Sequence, residues 1–181
     1  INDLDGFWQL LQQAGARELQ IQLPDQTTLL LKNLGDSEQF PRSVKADGSL
    51  HTVAMEDWTS GFFPGTLWDL FEYTGSEAWK EQALKATRRL EGLRHFNGHH
   101  DVGFMLFCSY GNALRFDLTD TLDAPAVLLD GAAALATRYR DEPGLIRSWD
   151  FGDYKYPVII DNMMNLELLM WAAEHGGTTA P

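Results

Sequence analysis

Three scarcities in the sequence exclude whole classes of protein. Cys108 is the single cysteine, so no intrachain disulfide can form, and its place in the apolar stretch 104–108 predicts a buried, inert thiol. The 14 lysine and arginine residues are outnumbered by 26 acidic ones, and a net charge of −12 argues against a nucleic-acid partner. No apolar run is long enough to cross a bilayer, so we expect no membrane partner.

The composition that remains is that of a globular protein, with 44% hydrophobic and 22% charged residues among 181. This length fits one domain or a fragment of a larger one. The chain begins at Ile1 and not at a methionine, which leaves a removed leader and a trimmed sequence both open. For the location, the bacterial periplasm is favoured over the cytoplasm.

The N-terminal region, residues 1–39, carries weak and mixed signals. Apolar residues at helical spacing predict a helix over residues 4–14. Partial alternation around Pro24 predicts a short hairpin or an irregular arm over residues 19–31. Glycine, serine, aspartate and proline then predict a long loop over residues 33–57. We therefore expect an N-terminal helix and arm to precede the main domain.

From residue 57 onward, a loop, a helix, a turn and a second helix recur. The predicted first helices are apolar on nearly all sides, as buried helices are, and the second helices are amphipathic. Such repeats predict an all-α toroid of helical hairpins, of which residues 40–181 supply about the first half. Inner helices left alone would expose apolar surface, so we expect missing sequence or another chain to complete the ring. The predicted helices cover residues 66–73, 77–93, 105–115, 125–139 and 163–174.

Two aspartates, Asp101 and Asp161, precede predicted inner helices. Taken singly, each is more readily explained as a helix N-cap. Their equivalent places in neighbouring repeats would, however, bring both carboxylates to one rim. Apolar neighbours favour a protonated Asp161 if burial outweighs the helix dipole, whereas His99 and His100 favour an ionised Asp101. Two carboxyl groups in opposite protonation states are what acid–base catalysis requires.

Further polar and aromatic residues are candidate ligands, each with a structural alternative. We rank hydrogen bonding of His100 to a sugar hydroxyl or to Asp101 above metal binding, because adjacent histidines lack the i, i+4 spacing of a helix-borne site. No metal and no cofactor are expected. Trp58 and Trp149 either stack on a sugar ring or cover the core. The remaining candidates are Asn162 and Asn165, for backbone groups or ligand oxygens, and Arg42, for a surface acid or an anionic ligand.

Five motifs occur in a fixed order along the chain. They are FPRS, DWTSGFFPG, HDVGFM, CSYGNA and IDNMMN, at residues 40–43, 57–65, 100–105, 108–113 and 160–165. Together they resemble the unsaturated glucuronyl hydrolases, glycoside hydrolase family 88, over residues 40–174. The first forty residues match this family poorly.

The resemblance implies an (α/α)6 barrel and a lyase-generated glycosaminoglycan oligosaccharide as substrate, with a 4,5-unsaturated glucuronyl residue at its non-reducing end. The family hydrates the C4=C5 bond instead of displacing the glycosidic oxygen. By motif, Asp161 is the acid and then the base, and Asp101 assists it. His100, Trp58 and Trp149 would line the subsite for the unsaturated ring. Residues that would bind the substrate carboxylate are expected further along, beyond this sequence.

Three alternatives remain open. One is a related hydrolase acting on unsaturated galacturonyl-rhamnose from pectin. Another is a sugar-binding α/α domain without catalysis. The third is a conventional inverting glycosidase, whose two carboxyl groups stand ~6.5–9.5 Å apart.

Overall fold

The computed structural model describes residues 16–116, 118 and 121–176. Its contacts divide the chain into two units, Ile1–Ser37 and Glu38–Pro181. Most described residues are helical. Within the described ranges, no helix has the length and hydropathy that a bilayer crossing requires.

In the first unit, α1 (Ala16–Leu34) is one continuous helix. The prediction of a hairpin or an irregular arm over residues 19–31 is therefore wrong. Strong helix formers lie on both sides of Pro24, and they outweigh the single backbone donor that proline removes. The Pro24 carbonyl accepts a hydrogen bond from Thr28 Oγ1 at 2.8 Å. The helix predicted over residues 4–14 lies outside the described residues.

The second unit starts with a β-hairpin, which corrects the predicted loop over residues 33–57. Strand β1 (Phe40–Val44) pairs antiparallel with β2 (Leu50–Val53). The turn residues that suggested a loop occupy the short connection, where Asp47 Oδ1 accepts from Ser49 N at 2.9 Å and from Ser49 Oγ at 2.6 Å.

The helices that follow lie close to the predicted positions. Helix α2 (Phe62–Thr74) packs against α3 (Glu77–Arg88), and a 3₁₀-helix (Glu91–His95) replaces the predicted end of α3. Helix α4 (Val102–Leu106) continues through a π-helical turn (Phe107–Gly111) into α5 (Asn112–Leu114). Then come α6 (Ala124–Ala136), the short strands β3 (Tyr139–Arg140) and β4 (Leu145–Ile146), and α7 (Asn162–Glu174).

The core of the second unit lies among the predicted inner helices and their partners. Trp68 of α2 is fully buried, and its Nε1 donates to Thr87 Oγ1 at 3.0 Å. Helix α4 buries four of its five residues and packs against both α6 and α7. Helix α7 is different, because Met163, Met164 and Met170 are 61–69% exposed. This matches the expectation that an uncovered inner helix shows apolar surface.

Candidate active site

The candidate site starts at two helix N-termini. Asp101 directly precedes α4 and Asp161 directly precedes α7, yet neither side chain makes a capping hydrogen bond. The simplest structural explanation for these aspartates, that they cap their helices, therefore fails for both. Their carboxylates lie together instead, since one oxygen of each is within 4.8 Å of the other and of a His100 nitrogen. The prediction of a shared rim is confirmed, while the catalytic roles stay predictions.

Gly103 allows the two helix starts to come this close. A Cβ on Gly103 would lie 2.6 Å from Asn165 Cα, which is far inside van der Waals contact. Asn165 then joins the helices, because its Oδ1 accepts from Phe104 N at 2.9 Å and its Nδ2 donates to the Asp161 carbonyl at 3.3 Å. With 2% exposure, Asn165 serves backbone groups, one of the two roles the sequence left open.

His100 lies at the centre of the cluster. Its Nε2 is 3.4 Å from Asp101 Oδ1 and 3.7 Å from Asp161 Oδ2. Its other ring nitrogen, Nδ1, is hydrogen-bonded to Asn162 Oδ1. The backbone N–H of His100 donates to the Ser148 carbonyl at 2.9 Å. The side chain is only 4% exposed, and His100 lines the cavity beside the cluster.

His99 supports the second oxygen of Asp101. Its Nδ1 lies 3.1 Å from Asp101 Oδ2, and its Nε2 lies 2.7 Å from the Glu56 carbonyl. Burial opposes the charged form of His99, but the hydrogen bonds to Asp101 and Glu56 outweigh it, so the pKa of His99 lies above its ordinary value. A positive charge next to Asp101 is thereby favoured.

A cavity of about 280 Å³ opens beside this cluster. Trp58, 44% exposed, and Trp149 both line it, so the structure brings the two predicted tryptophans to one opening. Phe151 stacks on Trp149 with ring centroids 5.7 Å apart and remains 72% exposed. The sequence analysis missed Phe151, although its place two residues after a candidate tryptophan was a usable signal. An aromatic rim beside carboxylates is suited to binding a sugar ring.

Arg42 does not line this cavity. Its guanidinium forms an ion pair with Asp57 and lies 5.8 Å from the centre of the Trp58 ring. Pairing with an acid, one of the two predicted roles, is thus what the described residues show. Burial opposes ionisation of Asp57, but hydrogen bonds from Thr59 and the charge of Arg42 outweigh it, so the pKa of Asp57 is lowered.

The loop that carries Trp149 is fixed by an arginine that the sequence analysis also missed. Arg138 is 6% exposed, and its Nε donates to the Arg147 carbonyl at 2.7 Å. Its Nη1 donates to the Asn97 carbonyl at 2.5 Å and to Asp150 Oδ2 at 2.8 Å. One side chain therefore ties the segment before His99 to the segments on both sides of Trp149. Nothing in the sequence distinguishes this arginine from those on the surface.

The surroundings of Asp161 differ from the prediction. The apolar neighbours that were expected to desolvate it are largely in solvent: Ile159, Ile160, Met163 and Met164 are 41–87% exposed. The Asp161 side chain is 38% exposed, although its Oδ1 is buried and has no hydrogen-bond partner among the described residues. Val158, the fifth of the expected apolar neighbours, is half-buried. The prediction that this apolar environment buries Asp161 is wrong for the described residues.

His100, Asp101 and Asp161 also form the one group of three potential metal ligands within the described residues. Such a cluster does not by itself define a cation site, because exposed acidic groups are common without an ion. The expectation of no metal stays a prediction.

Several known proteins resemble this chain over most of its length. An unsaturated glucuronyl hydrolase from Formosa agariphila is 44% identical over 144 residues, covering 78% of this chain and 36% of that protein. One from Bacillus sp. strain GL1 is 36% identical over 156 residues, covering 81% and 40%. A crystal structure of an unsaturated glucuronyl hydrolase specific for heparin superposes with a TM-score of 0.77 at 40% identity, covering 89% of this chain and 43% of that one. No family model matches the chain.

The matched relatives show that this is a helical protein related to glycosidases. The chain belongs to the unsaturated glucuronyl hydrolases, glycoside hydrolase family 88. It spans only about two fifths of the length of its relatives.

Proposed function

We propose that the protein containing this chain hydrates the C4=C5 bond of a 4,5-unsaturated glucuronyl residue at the non-reducing end of a glycosaminoglycan oligosaccharide. The observation that carries the proposal is the meeting of Asp101, Asp161 and His100 within 4.8 Å beside a cavity lined by two tryptophans. Family membership supports the choice of substrate, and one solved relative is described as specific for heparin.

Asp161 is the acid and then the base of the proposed reaction. Its carboxyl proton passes to C4, and the electron pair of the C4=C5 bond forms the new C4–H bond. The cation left at C5, stabilised by the ring oxygen, is attacked by water. That water gives one proton back to Asp161, so the carboxyl group is restored and one water is consumed. The resulting hemiketal opens, and the adjoining sugar is released.

Asp101 assists in this scheme by accepting hydrogen bonds from sugar hydroxyls. Both of its oxygens have histidine partners, His99 at 3.1 Å and His100 at 3.4 Å. These partners fix the carboxylate without blocking it, since its side chain remains 14% exposed. The acid–base group of the scheme is Asp161, and such a group typically contributes ~10²–10⁴-fold.

We place helices α2 to α7 of the second unit in the first half of an (α/α)6 barrel. Further hairpins would cover the exposed methionines of α7 and supply groups for the substrate carboxylate. In that arrangement Trp58, Trp149 and Phe151 form one wall of the subsite, and Ile160 meets the hairpins opposite. The exposure of Ile160, at 87%, supports a partner surface there.

The decisive experiment is Asp161→Asn in the full-length protein, with loss of the absorbance of the conjugated C4=C5 bond as the assay. We expect turnover to fall by a factor of 10² or more with the fold unchanged. Asp123→Asn is the matched control, because Asp123 also precedes a helix without a capping bond but is exposed and does not belong to the cluster of His100, Asp101 and Asp161. Near-normal turnover in Asp161→Asn would remove Asp161 from the role.

The same assay separates the alternatives. Binding without loss of absorbance would indicate a sugar-binding domain, and preference for galacturonyl-rhamnose would indicate the pectin-type reaction. Activity on saturated glycosides would indicate a conventional glycosidase. In inverting glycosidases the two carboxyl groups stand ~6.5–9.5 Å apart, which leaves room for a water. Here one oxygen of Asp101 lies within 4.8 Å of one oxygen of Asp161.

A further inference from the structure

Asn162 determines which nitrogen of His100 carries a hydrogen. Asn162 Nδ2 donates to the Ile146 carbonyl at 2.8 Å, and this bond orients the amide so that Oδ1 faces His100. Because an amide oxygen only accepts, His100 Nδ1 must donate to it. Ser148 Oγ donates to the same oxygen at 3.4 Å, which strengthens the assignment.

The consequence appears at the other ring nitrogen. In a neutral imidazole with hydrogen on Nδ1, Nε2 is an acceptor. It faces Asp101 Oδ1 at 3.4 Å and Asp161 Oδ2 at 3.7 Å. If both carboxylates are ionised, three acceptors face one another around the buried His100 ring. One additional proton removes this repulsion.

We infer that His100, Asp101 and Asp161 share one proton, which passes between His100 Nε2 and Asp161 Oδ2 and makes His100 the proton reserve of the acid. The proton reserve has a role in catalysis only under the proposed function, in which Asp161 is the acid. In the transfer the Nε2–H bond breaks, its electron pair stays on nitrogen, and an O–H bond forms on Asp161. No oxidant, reductant or metal takes part.

The inference accounts for the missing desolvation of Asp161. The apolar residues around Asp161 are exposed in the described chain. A neighbouring imidazole, whose Nε2 lies 3.7 Å from Asp161 Oδ2, supplies the proton instead. The other titratable groups near His100 are His99, which holds the second oxygen of Asp101, and Glu56 and Asp57, which line the same cavity. The positive charge of Arg138 acts to lower the pKa of His99.

The first test is the pH profile of kcat/KM for the full-length protein, compared with His100→Gln and with the control Asp123→Asn. Glutamine cannot store the proton, so we expect a fall of 10²-fold or more and a shift of the basic limb by about one pH unit or more. The control should keep the wild-type profile. A His100→Gln profile scaled down equally at every pH would mean that His100 only holds the structure, and the inference would be overturned.

The second test does not depend on catalysis. In full-length protein with ¹⁵N-labelled imidazoles, we expect Nδ1 of His100 to keep its hydrogen across the titration while Nε2 gains and loses one. Asp161→Asn should shift the midpoint of that step by about one pH unit or more, because the facing negative charge is lost. Hydrogen on Nε2 alone in the neutral ring, or a midpoint unmoved by Asp161→Asn, contradicts the inference. If wild-type protein shows no turnover, the proposed function fails while this measurement still decides the proton sharing.

Discussion

At Gly103, a single added methyl group would force apart the two helix starts that carry the site. In Gly103→Ala the new Cβ would lie 2.6 Å from Asn165 Cα, 2.7 Å from the Asn165 carbonyl oxygen and 2.8 Å from its Oδ1. Ordinary contact starts at 3.4 Å, so the starts of α4 and α7 must separate by roughly 0.8 Å, the difference between 3.4 and 2.6 Å. Two of these three atoms are backbone atoms, which a rotamer change cannot relieve.

Overpacking of this kind costs about 1–3 kcal/mol of stability. Because α4 and α7 begin next to Asp101 and Asp161, the separation also enlarges the gap between the carboxylates. A misplacement near 1 Å costs about 10²-fold in rate. We therefore expect Gly103→Ala to lower the free energy of unfolding by about 1–3 kcal/mol and kcat/KM by up to about 10²-fold.

Urea unfolding and the absorbance assay on the full-length protein measure both quantities. Gly92→Ala is the matched control, because its Cβ would meet only the flexible end of Met55, with Cε at 2.8 Å. We expect this control to keep its activity and most of its stability. If Gly103→Ala is as stable and active as the control, the close approach of α4 and α7 does not position the acids.

Two further predictions concern groups with shifted pKa values. Burial, reinforced by the charges of Glu167 and Asp69, raises the pKa of the Cys108 thiol to about 11. Iodoacetamide at pH 8 should therefore leave this thiol unmodified in native protein and modify it after unfolding. Rapid labelling of the native protein would contradict this prediction. The pKa of Asp57 is lowered in the fold, so its ionised form stabilises the protein above its ordinary value near 3.8, and this contribution is lost as the pH falls below it. Asp57→Asn should thus have a lower free energy of unfolding than wild type at pH 6, and this difference should shrink below about pH 4. Urea unfolding at the two pH values measures it, and an equal difference at both would refute the linkage.

The helices and the shared rim could be predicted because their signals are local and repeat. Each inner helix has a continuous apolar pattern, and Asp101 and Asp161 occupy equivalent places in successive repeats. Helix α1 was not predicted, since Pro24 and a short alternation suggested a break that neighbouring helix formers prevent. The hairpin of β1 and β2 was not predicted either, because its turn residues dominated the composition of a short segment.

The parts of the site that could not be predicted depend on contacts between distant segments. Arg138 is 41 residues from Asn97, which it contacts, and no spacing rule connects them. The tautomer of His100 depends on Asn162, 62 residues away. The exposure of Ile160 and Met163 depends on what packs over α7, and an apolar run alone does not say which of its residues are covered.

The uncapped starts of α4 and α7 have a consequence for stability. A side-chain cap is worth about 0.5–2 kcal/mol, and aspartate is among the residues best able to provide one. Asp101 and Asp161 forgo that gain. The Asp101 oxygens and Asp161 Oδ2 face imidazoles, and Asp161 Oδ1 is buried without a hydrogen-bond partner among the described residues. The fold thus leaves two helix starts less stable than a side-chain cap would make them, at the positions where the catalytic carboxylates are proposed.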